Sequence, residues 1–298
     1  MKEKIELIIN GKKYYFVNNY KEDDKLRSSF NELTRKTYGF DFEQWYQLGY
    51  WKERYIPYSF TYNDEIVANV SVNKINFMIE GDVKNTIQIG TVMTDKLHRN
   101  RGLIRKLMDI VLKEYEGCSD FMYLFANDSV VEMYPKFGFE KVDEYQSIKQ
   151  IKKKKNDFTI RKLEMDNRND KNIFTRLALN AKSISKISML DNFGLIMFYC
   201  NSFMKNNIYY IKQLNIAVIV EYYGNKLYLQ DVFSEKDFNL DSVINALSNH
   251  ENTMVILGFT PLEDKSFSTK ILKEEDTTLF VRGKNIIGKT MFPIISHA

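Results

Sequence analysis

The spacing of apolar positions changes period several times along the chain. Over residues 22–38, Leu26, Phe30, Leu33 and Tyr38 fall on one broad helical face, which predicts an amphipathic helix. A second helical stretch runs from Asp41 towards Trp51. The period then shortens. Residues 59–62, 66–72 and 74–79 read as strands broken by the turn signals Asn63-Asp64 and Gly81-Asp82, and 85–93 reads as another strand. Helical spacing returns at 103–115, and 121–126 is a short buried strand. Residues 129–137 read as a short helix stopping at Gly138, where glycine most easily takes the left-handed cap.

The lysine-rich run IKKKKN at 151–156 marks a boundary, most simply a solvated linker. Beyond it, 158–163 opens a second unit with a helix at 172–181 and a hairpin of 216–223 and 227–233 around Gly224-Asn225. A helix at 240–248 and strands at 253–259 and 278–281 follow. Both halves therefore run helical segment, strand hairpin, helix, strand, a weak repeat with a period near 150 residues. The expected fold class is α/β (an α+β mixed sheet flanked by helices), with a first domain at 1–148, a linker at 149–157 and a second domain at 158–298.

Composition narrows the chemistry. Of 298 residues 44% are apolar and 14% aromatic, the profile of a folded globular chain. Its 43 Lys and Arg against 39 Asp and Glu leave only +4, too dispersed to imply nucleic acid. Cys118 and Cys200 lie far apart, and His98, His250 and His297 are scattered, so no metal-ligand spacing exists. The start MKEKIELIING has no apolar leader segment and no apolar run approaches membrane length, which predicts a cytoplasmic, membrane-free protein.

The most informative segment is IQIGTVMTDKLHRNRGLIRKLM, residues 87–108. A strand runs into Arg99, Asn100, Arg101, Gly102, Leu103 and Ile104, and a helix begins at once. Backbone N–H groups at a helix start, with Gly102 permitting close approach and arginines adding charge, suit a diphosphate. A basic helix start without a ligand is the plain alternative. This segment resembles motif A of the GNAT acyltransferase superfamily, Arg/Gln-x-x-Gly-x-Gly/Ala, although Ile104 stands where Gly or Ala is usual. Asn127 followed by Tyr134-Pro135-Lys136-Phe137-Gly138-Phe139 resembles the closing segment of the same family, and the close resemblance covers about residues 20–148. The full length resembles bacterial two-domain members whose second half is a degenerate copy. That second half has Ser234-Glu235-Lys236-Asp237-Phe238 where a phosphate turn would lie, and is not expected to bind coenzyme A.

The resemblance implies an acetyl-CoA-dependent N-acetyltransferase acting through a ternary complex on a primary amine of a small molecule, or on a protein or peptide amine, as a monomer or homodimer. Backbone N–H groups at Val92 and Met93 would polarise the thioester carbonyl, Thr94 would lie near the diphosphate, and Asn127 would bond the pantetheine or the acceptor. Tyr134 would protonate the leaving thiolate. The base is open. A glutamate eleven residues before motif A serves one branch, and here Gln88 stands there; Glu80 and Asp82 lie on the preceding turn. The tail 291–298 could bring the carboxylate of Ala298, or His297, to the first cleft, as the resembling aminoglycoside acetyltransferases do with their terminal carboxylate. Trp45, Tyr46, Tyr50, Trp51, Tyr55 and Tyr58 form either a cation-binding acceptor wall or core. A non-catalytic acyl-CoA sensor is the alternative of a different class, supported by Gln88, and a tRNA-dependent aminoacyl transferase is a third that the intact Arg99–Gly102 turn opposes.

Overall fold

Asn10 and Gly11 both take left-handed φ, 49° and 75°, as a two-residue hairpin turn requires, and join strands β1 (Ile5–Ile9) and β2 (Lys12–Asn18). The computed structural model describes residues 4–152, 154–249, 251–263, 265–283 and 288–297. Helix α1 (Asp24–Tyr38) starts where the Asp23 carboxylate accepts the N–H groups of Lys25 and Leu26, and it stops at Gly39, φ 81°. A single turn and a half, α2 (Glu43–Gln47), follows. Then β3 (Tyr55–Tyr62), β4 (Glu65–Ile79) and β5 (Asp82–Thr94) form an antiparallel meander. The segments 66–72 and 74–79 are one strand, because Asn73 continues the ladder and its side chain bonds Gln88.

Helix α3 (Leu103–Tyr115) crosses to β6 (Phe121–Ala126), which runs parallel to β5. Residues 129–137 are not one helix but two 3-10 turns, Asp128–Val130 and Tyr134–Phe137. Pro135 has no N–H to give and would strike the preceding turn of an α-helix, so the chain breaks into two. Two short strands, β7 (Glu140–Lys141) and β8 (Tyr145–Gln150), close this half.

The second half contains β9 (Ile160–Lys162), α4 (Arg168–Leu179), β10 (Ile187–Leu190), α5 (Phe193–Asn201) and β11 (Ile208–Ile211). It continues through β12 (Ile216–Tyr223), β13 (Lys226–Phe233), α6 (Leu240–Leu247), β14 (Met254–Leu257), β15 (Ser268–Ile271) and β16 (Thr278–Gly283). Helix α5 carries the run FGLIMFYC and buries residues on most of its circumference, which fits a helix lodged between layers.

Two mixed sheets result. One has nine strands in the order β1-β2-β3-β4-β5-β6-β16-β7 with β10 paired to β4; the other has seven, β15-β8-β14-β13-β12-β11-β9. Each contains one parallel pair, β5 with β6 and β13 with β14. The halves also trade strands. The late strand β16 lies between β6 and β7, and β8 lies between β14 and β15. Hydrogen bonding therefore does not divide the chain at 149–157: β8 reaches into that segment and belongs to the second sheet, and β16, expected in the second domain, completes the first.

A continuous aromatic core joins the halves, with Phe30, Trp51, Phe77 and Tyr123 from one side and Phe174, Phe233 and Phe292 from the other. Separate cores fill the outer faces, one under α3 and one under α6. Among the described residues no helix is long and apolar enough to cross a membrane.

Candidate active site

Strands β5 and β6 pair only at Thr86–Phe121, Ile87–Met122 and Gln88–Tyr123. Past that point they separate: β5 continues along β4 to Thr94 and β6 along β16 to Ala126, with no further pair between β5 and β6. Opposite β4 the ladder skips from Met93–Asn69 to Gly90–Ser71, so Thr91 and Val92 bulge out against one partner residue. Thr91 takes φ 49°, an unusual conformation for a β-branched residue. A buried polar chain holds it: the Thr91 hydroxyl meets the Tyr55 hydroxyl at 2.6 Å, and Asn69 Nδ2 donates to the Thr91 carbonyl at 2.8 Å. Asn69 is itself tied to Ser59 and Ser71, and Tyr20 meets Ser59 at 2.6 Å. Full satisfaction of such a network is what makes a buried strained bulge affordable.

The gap between the separating strands is a cleft of about 660 Å³. Gly90, Thr91 and Val92 form its β5 edge, and Tyr38 donates to the Val92 carbonyl at 2.8 Å. Asn127 and Tyr134 line the β6 side. Tyr134 is 3% exposed, packed against Phe139 and Phe280, and burial raises its phenol well above the ordinary value, so it stays protonated. Asn127 is fixed by a residue with no signal in the sequence, Asp276 of the loop before β16. Asp276 accepts Asn127 Nδ2 and the Asp128 N–H, each at 2.7 Å.

The tail supplies the remaining wall. Phe292 stacks on Tyr123 with centroids 4.4 Å apart and planes 5° from parallel, and Phe292 and Ile295 are fully buried. His297 consequently lines the cleft, its carbonyl accepting the Tyr199 hydroxyl at 2.7 Å. Its Nε2 is buried with no hydrogen-bond partner among the described residues and lies 3.9 Å from Glu144 Oε1. Burial holds the imidazole down to about 3 and pushes Glu144, which accepts the Phe292 N–H, up to about 8. Ala298 lies outside the described residues.

Beyond Val92 the sequence-predicted residues divide. Met93 does not face the cleft: its side chain is buried and its backbone pairs with Asn69. Thr94 ends β5, and its carbonyl accepts Arg99 Nε at 3.3 Å. The turn that follows is built on two left-handed residues, Asn100 at φ 59° and Gly102 at φ 76°. Arg101 bonds the Leu97 carbonyl and receives Asn10 at its own carbonyl. Leu103 and Ile104 pack inward, leaving only their backbone N–H groups at the α3 start, which no side chain caps. The corresponding α6 is capped by Asn239, and the acids before it are taken, Glu235 by Arg176 and Asp237 by Lys182. An uncapped helix start carrying about half a positive charge suits an anion; a capped one does not.

Gln88 is fully buried at the last β5–β6 pair, bonded by Asn73. Of the six expected wall aromatics only Trp45 and Tyr55 line the cleft. Tyr58 lies on the opposite sheet face against Tyr115, Tyr46 covers Arg27, and Trp51 backs Trp45 at 5.8 Å. Their places are taken by Phe40 and Phe42 and by Phe198, Tyr199 and Phe203 at and after α5. The run at 195–200 is apolar enough to have marked a buried helix, but nothing local says what it packs on.

Residues 20–142 match the family model of an acetyltransferase (GNAT) domain. No curated protein matches the chain in sequence. Solved structures resemble it over nearly its whole length. A conserved protein of unknown function from Enterococcus faecalis V583 superimposes with a TM-score of 0.61 at 15% identity, over 90% of this chain and 72% of that one. A GCN5-related N-acetyltransferase from Kribbella flavida gives 0.56 at 13% over 90% and 71%. Eis1 from Mycobacterium abscessus gives 0.53 at 13% over 89% and 72%. The separating parallel strands, the uncapped turn before α3 and the matched segment agree: residues 20–142 are similar to a GNAT acetyltransferase domain, and the chain shares the fold of these solved structures.

Proposed function

We propose that the protein is an acetyl-CoA-dependent N-acetyltransferase that moves an acetyl group to a primary amine of a small molecule within a ternary complex. The observation that carries this reading is the Tyr134 phenol lining a cleft whose β5 edge leads directly into the uncapped start of α3. The diphosphate of the co-substrate would lie on the N–H groups of Gly102, Leu103 and Ile104, with Arg99 and Arg101 supplying charge. The pantetheine arm would follow the free edge of β5 past Val92, with Asn127 across from it, and the thioester would reach Tyr134.

Neutral amine attacks the thioester carbonyl carbon, the C–S bond breaks, and an amide forms. The thiolate takes the Tyr134 proton, and the proton released from nitrogen restores the phenol, so one proton passes in net from nitrogen to sulfur. An alkylammonium with a pKa near 10.4 is only about 0.04% neutral at pH 7, so a group that accepts its proton before attack is needed. That group would belong to the tail 291–298, which reaches the cleft at His297.

The test is steady-state thiol release by Tyr134→Phe beside its affinity for acetyl-CoA. Loss of the proton donor should lower kcat by about 10²-fold or more with affinity retained. Unchanged turnover would remove Tyr134 from the reaction.

A further inference from the structure

The acceptor wall of this cleft is aromatic, and the polar atoms of Tyr38, Trp45, Tyr55 and Tyr199 are already engaged. Phe42 stacks on Phe198 at 5.3 Å, Trp45 meets Phe198 at 5.5 Å, and Phe40 meets Phe203 edge-on at 5.3 Å. Phe203 stands at the rim and is 57% exposed, a large apolar surface left open beside half-buried Phe40. The Trp45 indole N–H donates to the Gly194 carbonyl at 2.7 Å, the Tyr199 hydroxyl to His297, the Tyr38 hydroxyl to Val92, and the Tyr55 hydroxyl is paired with Thr91.

Charge is equally scarce. Among the described lining residues Asp276 alone carries a carboxylate, and both of its oxygens are held by Asn127 and Asp128. An acceptor with several ammonium groups would find a single carboxylate among the described lining residues, already hydrogen-bonded, and would lose its hydration without matching counter-charges. An amine with one nitrogen and a flat apolar body would keep the nitrogen at the thioester and place its body on the aromatic wall.

Resting on the acetyltransferase reading above, we infer that the acceptor is a monoamine with an aromatic or bulky apolar body, held by Phe40, Phe198 and Phe203, and not a polycation. The experiment measures thiol release by the full chain with acetyl-CoA and three probes: 2-phenylethylamine, ethanolamine and spermidine. Burying one aryl group should raise kcat/KM for 2-phenylethylamine about tenfold or more above either other amine. Phe203→Ser, an exposed position that leaves the core intact, should lower that value several-fold more than it lowers the value for ethanolamine.

Equal or better use of spermidine or ethanolamine would overturn the inference while leaving the transferase reading standing. Equal losses for both amines in Phe203→Ser would also overturn it. Acetyl-CoA binding without turnover of any probe would overturn the transferase reading, and this inference with it.

Discussion

The imidazole of His297 lies against the ring of Phe125, centroids 3.9 Å apart and planes 23° from parallel. Phe125 is on β6 of the first half, whereas His297 follows the 3-10 turn Ile294–Ser296 of the tail. The cleft is therefore walled by both halves, and its integrity depends on what seats the tail.

Phe292 is the main anchor, stacked on Tyr123 and in contact with Phe77 at 5.2 Å. Phe292→Ala should cost about 3–5 kcal/mol in urea unfolding, the usual range for a large aromatic removed from a closed core. Turnover should fall as well, because His297 loses its support, while Phe292→Leu should recover most of both.

Glu144 sets a pH dependence. Burial lifts its pKa from 4.5 to about 8, so between those values the folded state binds more protons than the unfolded one and stability falls as pH rises. Asp231, pushed up to about 7, acts in the same sense below that pH, and His297, lowered from 6.5 to about 3, acts oppositely between those values. Glu274, also raised by burial, reinforces Glu144. From pH 7 to 8 stability should drop by on the order of 1 kcal/mol, and Glu144→Gln should remove most of that drop, read from urea midpoints at each pH.

Asp276→Ala should act on turnover more than on stability. It frees Asn127 and the Asp128 N–H, which begin the 3-10 turns leading to Tyr134, yet the bonds lost are exposed and worth about 1 kcal/mol each at most. The expected result is a roughly tenfold lower kcat/KM with nearly unchanged unfolding. Asp276→Asn, which keeps one acceptor, should fall between.

The exchanged strands make the first half dependent on the second. A chain of residues 1–148 lacks β16, leaving β6 with an open edge and the aromatic core without Phe292. It should show no cooperative unfolding transition by circular dichroism. A sharp transition would show that β16 is dispensable.

Much of this was legible locally. Periodicity places α1, α3, β6 and the β12–β13 hairpin, and the left-handed Gly102 and Gly138 stand where the motifs put them. The β1–β2 hairpin carries its own signal, Asn10-Gly11 between IELII and KKYYF, a strong turn pair that lies ahead of the helical spacing beginning at residue 22. What the sequence hides is partnership. Residues 278–283 look like any half-buried strand, and their place between β6 and β7 follows from which edge is left open in three dimensions. Asp276 and the aromatic side chains of α5 enter the site by the same route, through contacts that leave no periodic trace.

A coenzyme site at the start of α3 is open to a direct test, calorimetric titration of acetyl-CoA into the full chain with Gly102→Val beside it. Valine at φ 76° is strained, but its Cβ would meet only Asn10 Nδ2, at 3.9 Å, so the effect should stay within the turn. Saturable one-site binding is expected, weakened at least about tenfold by the substitution through the loss of an N–H cradle for the diphosphate. No binding by the unsubstituted protein, or equal affinity in both, would contradict it.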